Sequence, residues 1–150
     1  MSATLAGPPG DCCRQTVQHV GESRGKVETV AGVETYVARP ADGSNKRIIL
    51  FFGDVYGPMY VNSQLIMDFW ADNGERLEMG AYNGTHCRAI TGYLVVGLDY
   101  FEGDSMIKHP NRELFDYPAW VQKKKLRARE LVPAWVEAIR KDYGLLPNLP

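Results

Sequence analysis

Two short, unbroken apolar runs constrain this chain more than any other feature. They are Ile48-Ile49-Leu50-Phe51-Phe52, which follows Arg47, and Tyr93-Leu94-Val95-Val96-Gly97-Leu98, and neither alternates with polar residues. A strand that is apolar on both faces needs cover on both faces, which is the condition inside a parallel sheet. Parallel neighbours cannot be joined by a tight turn and need a crossover, usually a helix. The intervening sequence supplies one. Asn62 can cap a helix over residues 63–72, with Leu65, Ile66, Phe69 and Trp70 on one face and Asn73-Gly74 as its stop. Strand, helix and strand then form a right-handed βαβ unit.

Upstream lies a different period. Lys26-Val27-Glu28-Thr29-Val30 and Val33-Glu34-Thr35-Tyr36-Val37 alternate, and they flank Ala31-Gly32. Period-two alternation around a two-residue link containing glycine reads as a β-hairpin. Pro40, Asp42 and Gly43 end it, and residues 1–25 form a polar N-terminal segment. Downstream, residues 99–111 are polar and turn-rich. Pro118 sits where a helix can start and Pro133 where one can restart. Trp135, Val136 and Ile139 give the last helix an apolar stripe suited to core packing. Lys123-Lys124-Lys125-Leu126-Arg127 reads as a solvated helix face. The expected fold is therefore α/β: one domain over residues 1–150, with an N-terminal hairpin, a parallel βαβ sheet and helices on both faces. Residues 75–91 do not fit it. Links from helix to strand usually take about 2–6 residues, and this stretch is far longer with no apolar period, so an unstructured insertion is expected.

Charge and cysteine content narrow the function. Seventeen basic residues against eighteen acidic ones leave a net charge of -1, which lacks the electrostatic footprint of a nucleic-acid binder. The apolar runs fall far short of the roughly 20 residues a membrane span needs. The start of the chain has no apolar stretch behind a basic segment, so a secretory signal is not expected and a cytoplasmic location is. The three cysteines, Cys12, Cys13 and Cys87, are an odd set, and adjacent cysteines pair poorly, which fits a reducing compartment. Cys12, Cys13 and His19 supply at most three of the four ligands that structural zinc takes, so no metal is expected.

Several motifs invite a catalytic reading. Gly21-Glu22-Ser23-Arg24-Gly25 matches G-x-S-x-G, but that elbow requires a buried strand before the serine and a helix after it. Here a polar segment precedes and a hairpin strand follows. His86-Cys87 sets a base beside a thiol, but sequence neighbours seldom have useful mutual geometry. His109 is a possible general base whose partner would be Asp99 or Asp54. Those two aspartates lie at or just past the C-terminal ends of the apolar strands, where open α/β sheets bind ligands. The competing reading makes both of them turn formers with local backbone bonds.

Taken together, several stretches resemble the dienelactone hydrolase family, especially its fungal branch. They are Gly10-Asp11-Cys12-Cys13, His19-Val20-Gly21 leading to Gly25, and Gly32-Val33-Glu34-Thr35-Tyr36-Val37-Ala38. Further on come Asp54-Val55-Tyr56-Gly57, Asn62-Ser63-Gln64-Leu65, Ala71-Asp72-Asn73-Gly74, and Gly92-Tyr93-Leu94-Val95-Val96 running to Asp99-Tyr100-Phe101-Glu102-Gly103-Asp104. The resemblance implies a truncated α/β-hydrolase fold, no cofactor, and a small-molecule ester or lactone as substrate. It also implies a Cys-Asp-His triad, and none of its three positions matches a residue of this chain. They are expected beyond residue 144, so the chain alone is expected to be inactive. Two positions carry over. Asp54 matches an acidic residue beside the nucleophile, and Val55 matches the position whose N–H helps bind the oxyanion. The pattern breaks only between Gly74 and Gly92. Deleting residues 75–91 restores the helix-turn-strand spacing, as a short intron retained in frame would require. The alternative to a hydrolase fragment is a non-catalytic α/β module that pairs with a complete hydrolase.

Overall fold

Strand β1 (Lys26–Val30) and strand β2 (Val33–Ala38) form the hairpin read from the alternation, in antiparallel register with Val30 opposite Val33. The link is tight because both of its residues take positive φ, Ala31 at 51° and Gly32 at 78°. That is the type I′ conformation, whose twist matches that of the flanking strands. In the computed structural model of this protein the described residues are 15–74, 76–78, 88–90, 92–111 and 113–143. Cys12, Cys13, His86 and Cys87 lie outside them, as do the residues after 143.

The two apolar runs become β3 (Ile48–Phe51) and β6 (Leu94–Leu98). They pair in parallel, with Ile48 opposite Leu94 and Phe51 opposite Gly97. Strand β6 also pairs antiparallel with β2, so the sheet order is β1-β2-β6-β3. The sheet is mixed, with one parallel pair. Central β6 is buried along its whole length, whereas β3 at the edge is only half-buried. Within residues 75–91, where an unstructured insertion was expected, β4 (Arg76–Glu78) pairs antiparallel with β5 (Arg88–Ile90) as a separate ladder.

Helices cover both faces. On one face α2 (Tyr117–Asp142) buries Trp135 and Ile139 against Val30, Val33, Val37, Leu94, Val96 and Leu98. Trp135 also donates its indole N–H to the buried Thr35 hydroxyl at 2.8 Å. On the other face α1 (Val61–Asp72) sets Met67 and Ala71 against Tyr36, Ala38 and Val95. The alternation of Tyr36, Val37 and Ala38 between these clusters is the strand period made visible.

Three expectations need correction. First, α2 is one continuous helix with Pro133 inside it, where a restart was expected. Asp116 caps it by accepting the Ala119 N–H at 3.0 Å, and packing of Trp135 and Ile139 outweighs the local cost of the proline. Second, the buried face of α1 is Ser63, Met67, Asp68 and Ala71, while Ile66 and Phe69 are exposed. Close approach decides this. A Cβ on Gly97 of β6 would come within 2.8 Å of Met67 Sδ, and one on Gly92 within 1.6 Å of the Ala71 carbonyl oxygen. Small residues and a flexible methionine let the helix sit low on the sheet, which turns the bulkier side chains to its flanks. Leu65 then packs beside Gly21 and Trp70 beside Phe51. Third, Asn62 does not cap α1. Its side chain accepts the His19 N–H and donates to the Val17 carbonyl, both at 2.8 Å, and so fastens the N-terminal strap to the helix.

Candidate functional site

The loops that leave β3 and β6 meet at the C-terminal end of the parallel pair. The first loop begins at Gly53. Asp54 makes it a turn twice over: its carboxylate accepts the Tyr56 N–H at 2.9 Å and its carbonyl accepts the Gly57 N–H at 3.0 Å. Gly57 takes a φ of 77° and lies against the Phe101 ring, so a side chain there would be strained and crowded. The Val55 carbonyl accepts the Met106 N–H at 3.0 Å, which ties this loop to the second one. Among the described residues no acceptor faces the Val55 N–H.

The second loop is organised by Asp99, whose carboxylate accepts the Phe101 N–H at 3.1 Å and the Gly103 N–H at 2.8 Å. It is 3% exposed, and each of its two carboxylate oxygens is engaged within its own turn. The turn-former reading therefore holds for Asp99 in full. Asp54 serves a turn as well, but it is exposed at the end of β3. Tyr100 links the two loops by donating its hydroxyl to the Gly53 carbonyl. Burial pushes the Tyr100 hydroxyl up to about 12, with the Asp54 and Asp99 charges acting in the same direction.

His109 does not meet Asp99 or Asp54. Its Nε2 lies 2.6 Å from an oxygen of Asp104, and its ring stacks on Phe115 with centroids 4.0 Å apart. The other Asp104 oxygen accepts from Lys124 at 2.9 Å. Lys124 is buried and also donates to the Phe101 carbonyl at 2.7 Å, so it leaves the solvated face to which its neighbours belong. Burial raises the Asp104 carboxyl, but the bonds from Lys124 and His109 outweigh it and hold the group below its ordinary value. The cluster is closed by Trp120, which donates its indole N–H to the Asp104 carbonyl at 3.2 Å. No motif pointed to it: His109 and Asp104 come from a loop and Lys124 from a helix, and only the chain path brings the three together. Among the described residues no group of His, Cys, Asp and Glu is arranged to hold a metal ion.

The G-x-S-x-G segment has a structural task. The Arg24 N–H reaches Asp68 of α1 at 2.7 Å, and the Gly25 N–H reaches the Tyr36 hydroxyl at 2.8 Å and Asp68 at 3.2 Å. A Cβ on Gly25 would come within 2.4 Å of the Tyr36 ring. Ser23 stands on this strap, which is followed by β1 and not by a helix, so the geometry of an elbow is absent.

Mixed sheet, covering helices and loops gathered at the strand ends define a partial α/β fold of the kind hydrolases use. The chain is 34% identical over 149 residues to dienlactone hydrolase 2 of Gibberella moniliformis, which covers 96% of this chain and 56% of that protein. It is 35% identical over 145 residues to dienlactone hydrolase 1 of the same fungus, covering 93% and 48% respectively. It is also 34% identical over 117 residues to hydrolase pyvD of Aspergillus violaceofuscus, covering 77% and 39%. By sequence, then, the chain is a relative of the fungal dienelactone hydrolases, and it spans about half the length of the curated relatives it matches. No protein-family model matches it, and no solved structure does so significantly. Among the described residues no helix is long and apolar enough to cross a membrane.

Proposed function

We propose that this chain carries the scaffold and part of the oxyanion site of an ester or lactone hydrolase, and that it does not turn over by itself. The reading is supported by the Val55 N–H. It sits at the end of a parallel strand, in a loop held from both sides by Asp54 and Met106, and no described group accepts from it. A donor fixed before the reaction is what stabilises a tetrahedral oxyanion, and one such donor is worth about 10²–10³ in turnover. Asp54, exposed beside it, would adjust the charge of an incoming nucleophile. The nucleophile, acid and base of the dienelactone hydrolase triad match none of this chain's residues. His109 is committed to Asp104 and Lys124, and Ser23 lies on the strap.

The test is to incubate the purified chain with an activated ester and follow both product release and covalent acylation. No burst and no turnover are expected. Stoichiometric acyl-cysteine at Cys87 that goes on to hydrolyse would refute the proposal. The second reading, a non-catalytic module that pairs with a complete hydrolase, draws on the side of β3 with which no described strand pairs. Co-purification with a full-length relative would favour it.

A further inference from the structure

We propose that Asp104 is a positioning residue that holds the Val55 N–H in place through Met106, an inference that rests on the oxyanion reading above. The peptides on either side of Val55 are both fixed. The Asp54 carbonyl accepts the Gly57 N–H at 3.0 Å. In a trans peptide the N–H points opposite to the C=O, so this bond aims the Val55 N–H away from the turn. The next peptide is held at both of its polar ends. The Tyr56 N–H donates to the Asp54 carboxylate at 2.9 Å, and the Val55 carbonyl accepts the Met106 N–H at 3.0 Å. The bonds to Asp54 are local to the turn. The bond from Met106 comes from the other loop and ties Val55 to the rest of the fold.

Met106 is held in turn by the residues around it. Asp104, two positions before it, has every polar group engaged. Its N–H donates to the Phe101 carbonyl at 3.1 Å, and its carbonyl accepts the Trp120 indole N–H at 3.2 Å. One carboxylate oxygen accepts from Lys124 at 2.9 Å and the other from His109 at 2.6 Å. A carboxylate only accepts, so His109 Nε2 carries the proton of that bond. Lys124 also donates to the Phe101 carbonyl, so α2 grips both ends of the turn from Phe101 to Asp104. Past Met106, the His109 N–H donates to the Met106 carbonyl at 3.2 Å, which closes the single 3-10 turn Met106–Lys108 back towards Asp104. Met106 itself is fully buried beside Tyr56, Tyr60, Phe101 and Trp120. Its N–H is thus bracketed by Asp104 and His109, and a path runs from Lys124 of α2 through Asp104 and Met106 to Val55. His109 and Asp104 are only half-buried, so the contact between them can be altered without opening a hole in the core.

Amide hydrogen exchange of the 150-residue chain, read residue by residue by NMR, is the test. H109F keeps a ring to stack on Phe115 but has no donor for Asp104. It is expected to speed exchange at Met106 about tenfold, the loss of one charge-assisted bond discounted for exposure, and to move the Val55 amide resonance. H109Q keeps a donor and is expected to return both most of the way to the parent values. D104N keeps the size of the side chain but cannot accept from both Lys124 and His109, so it should act as H109F does. The amides of Val95 and Val96 in β6 should be unchanged throughout. Exchange that rises equally at Met106 and Val96 would mean that the cluster only stabilises the domain, and would overturn the proposal. So would unchanged exchange at Met106 in H109F, a Val55 resonance that stays put while Met106 exchange rises, or H109Q as fast as H109F. The readout is a backbone amide and not turnover, so failure of the oxyanion reading shows in the ester assay and failure of this proposal in the exchange rates.

Discussion

Asp68→Ala tests how the N-terminal strap is held. Asp68 is 5% exposed on the buried face of α1. It accepts the Arg24 N–H at 2.7 Å, the Gly25 N–H at 3.2 Å and the Tyr36 hydroxyl at 2.9 and 3.0 Å. Hydrogen bonds to a charged group contribute roughly 1.5–3 kcal/mol each, and a buried donor left without an acceptor costs about 1–3 kcal/mol. The Tyr36 hydroxyl and the Arg24 N–H would both lose this acceptor, the hydroxyl keeping only the Ser23 side chain beside it. The Gly25 N–H keeps the Tyr36 oxygen. Removing the carboxylate is therefore expected to cost about 3–5 kcal/mol. For a domain of this size that is a fall in Tm of roughly 10 °C. Urea unfolding should show a lower midpoint with the slope kept, and hydrogen exchange should accelerate at Arg24 and Gly25. Tyr36→Phe should cost less, and the double variant should cost less than the sum, because the two share one bond. A loss under about 0.5 kcal/mol for Asp68→Ala would mean the carboxylate is not the anchor.

Three further outcomes follow from the same packing. Gly92→Ala would drive a Cβ to within 1.6 Å of the Ala71 carbonyl oxygen, so backbone must shift and stability should fall by about 3 kcal/mol or more, read by thermal unfolding. Pro133→Ala removes an interior, exposed proline from α2 and is expected to raise stability by about 1–3 kcal/mol; a lower midpoint would show that the proline shapes the helix. Burial pushes the hydroxyls of Tyr36 and Tyr100 up to about 12, against an ordinary 10.0. The raised groups favour the neutral, folded form, so their contribution is complete below pH 10 and is lost as pH rises towards 12. Tyrosinate absorbance followed alongside unfolding should place both titrations with the alkaline transition, and ordinary titration in the folded protein would contradict this.

The strand pattern was legible because burial on a sheet is written locally. Period-two alternation named the hairpin, and unbroken apolar runs named β3 and β6. The face of α1 was not legible. Leu65, Ile66, Phe69 and Trp70 satisfy the helical period, but the space above Gly97 and Gly92 belongs to Met67 and Ala71. Periodicity counts apolar groups, whereas packing selects those that allow close approach. Asp54 and Val55 could be singled out from their place at a strand end, and from the family resemblance. What they touch could not.

The sequence by itself determined the hairpin, the two apolar strands, the crossover helix between them and the likeness to dienelactone hydrolases, since all of these are properties of order and spacing along one chain. Tertiary structure decided the rest. It gave His109 to Asp104 and Lys124 and turned G-x-S-x-G into a strap on Asp68. The physical reason is that a polar group's role depends on which partner can reach it once water is excluded. Among residues tens of positions apart, only the folded path of the chain sets that.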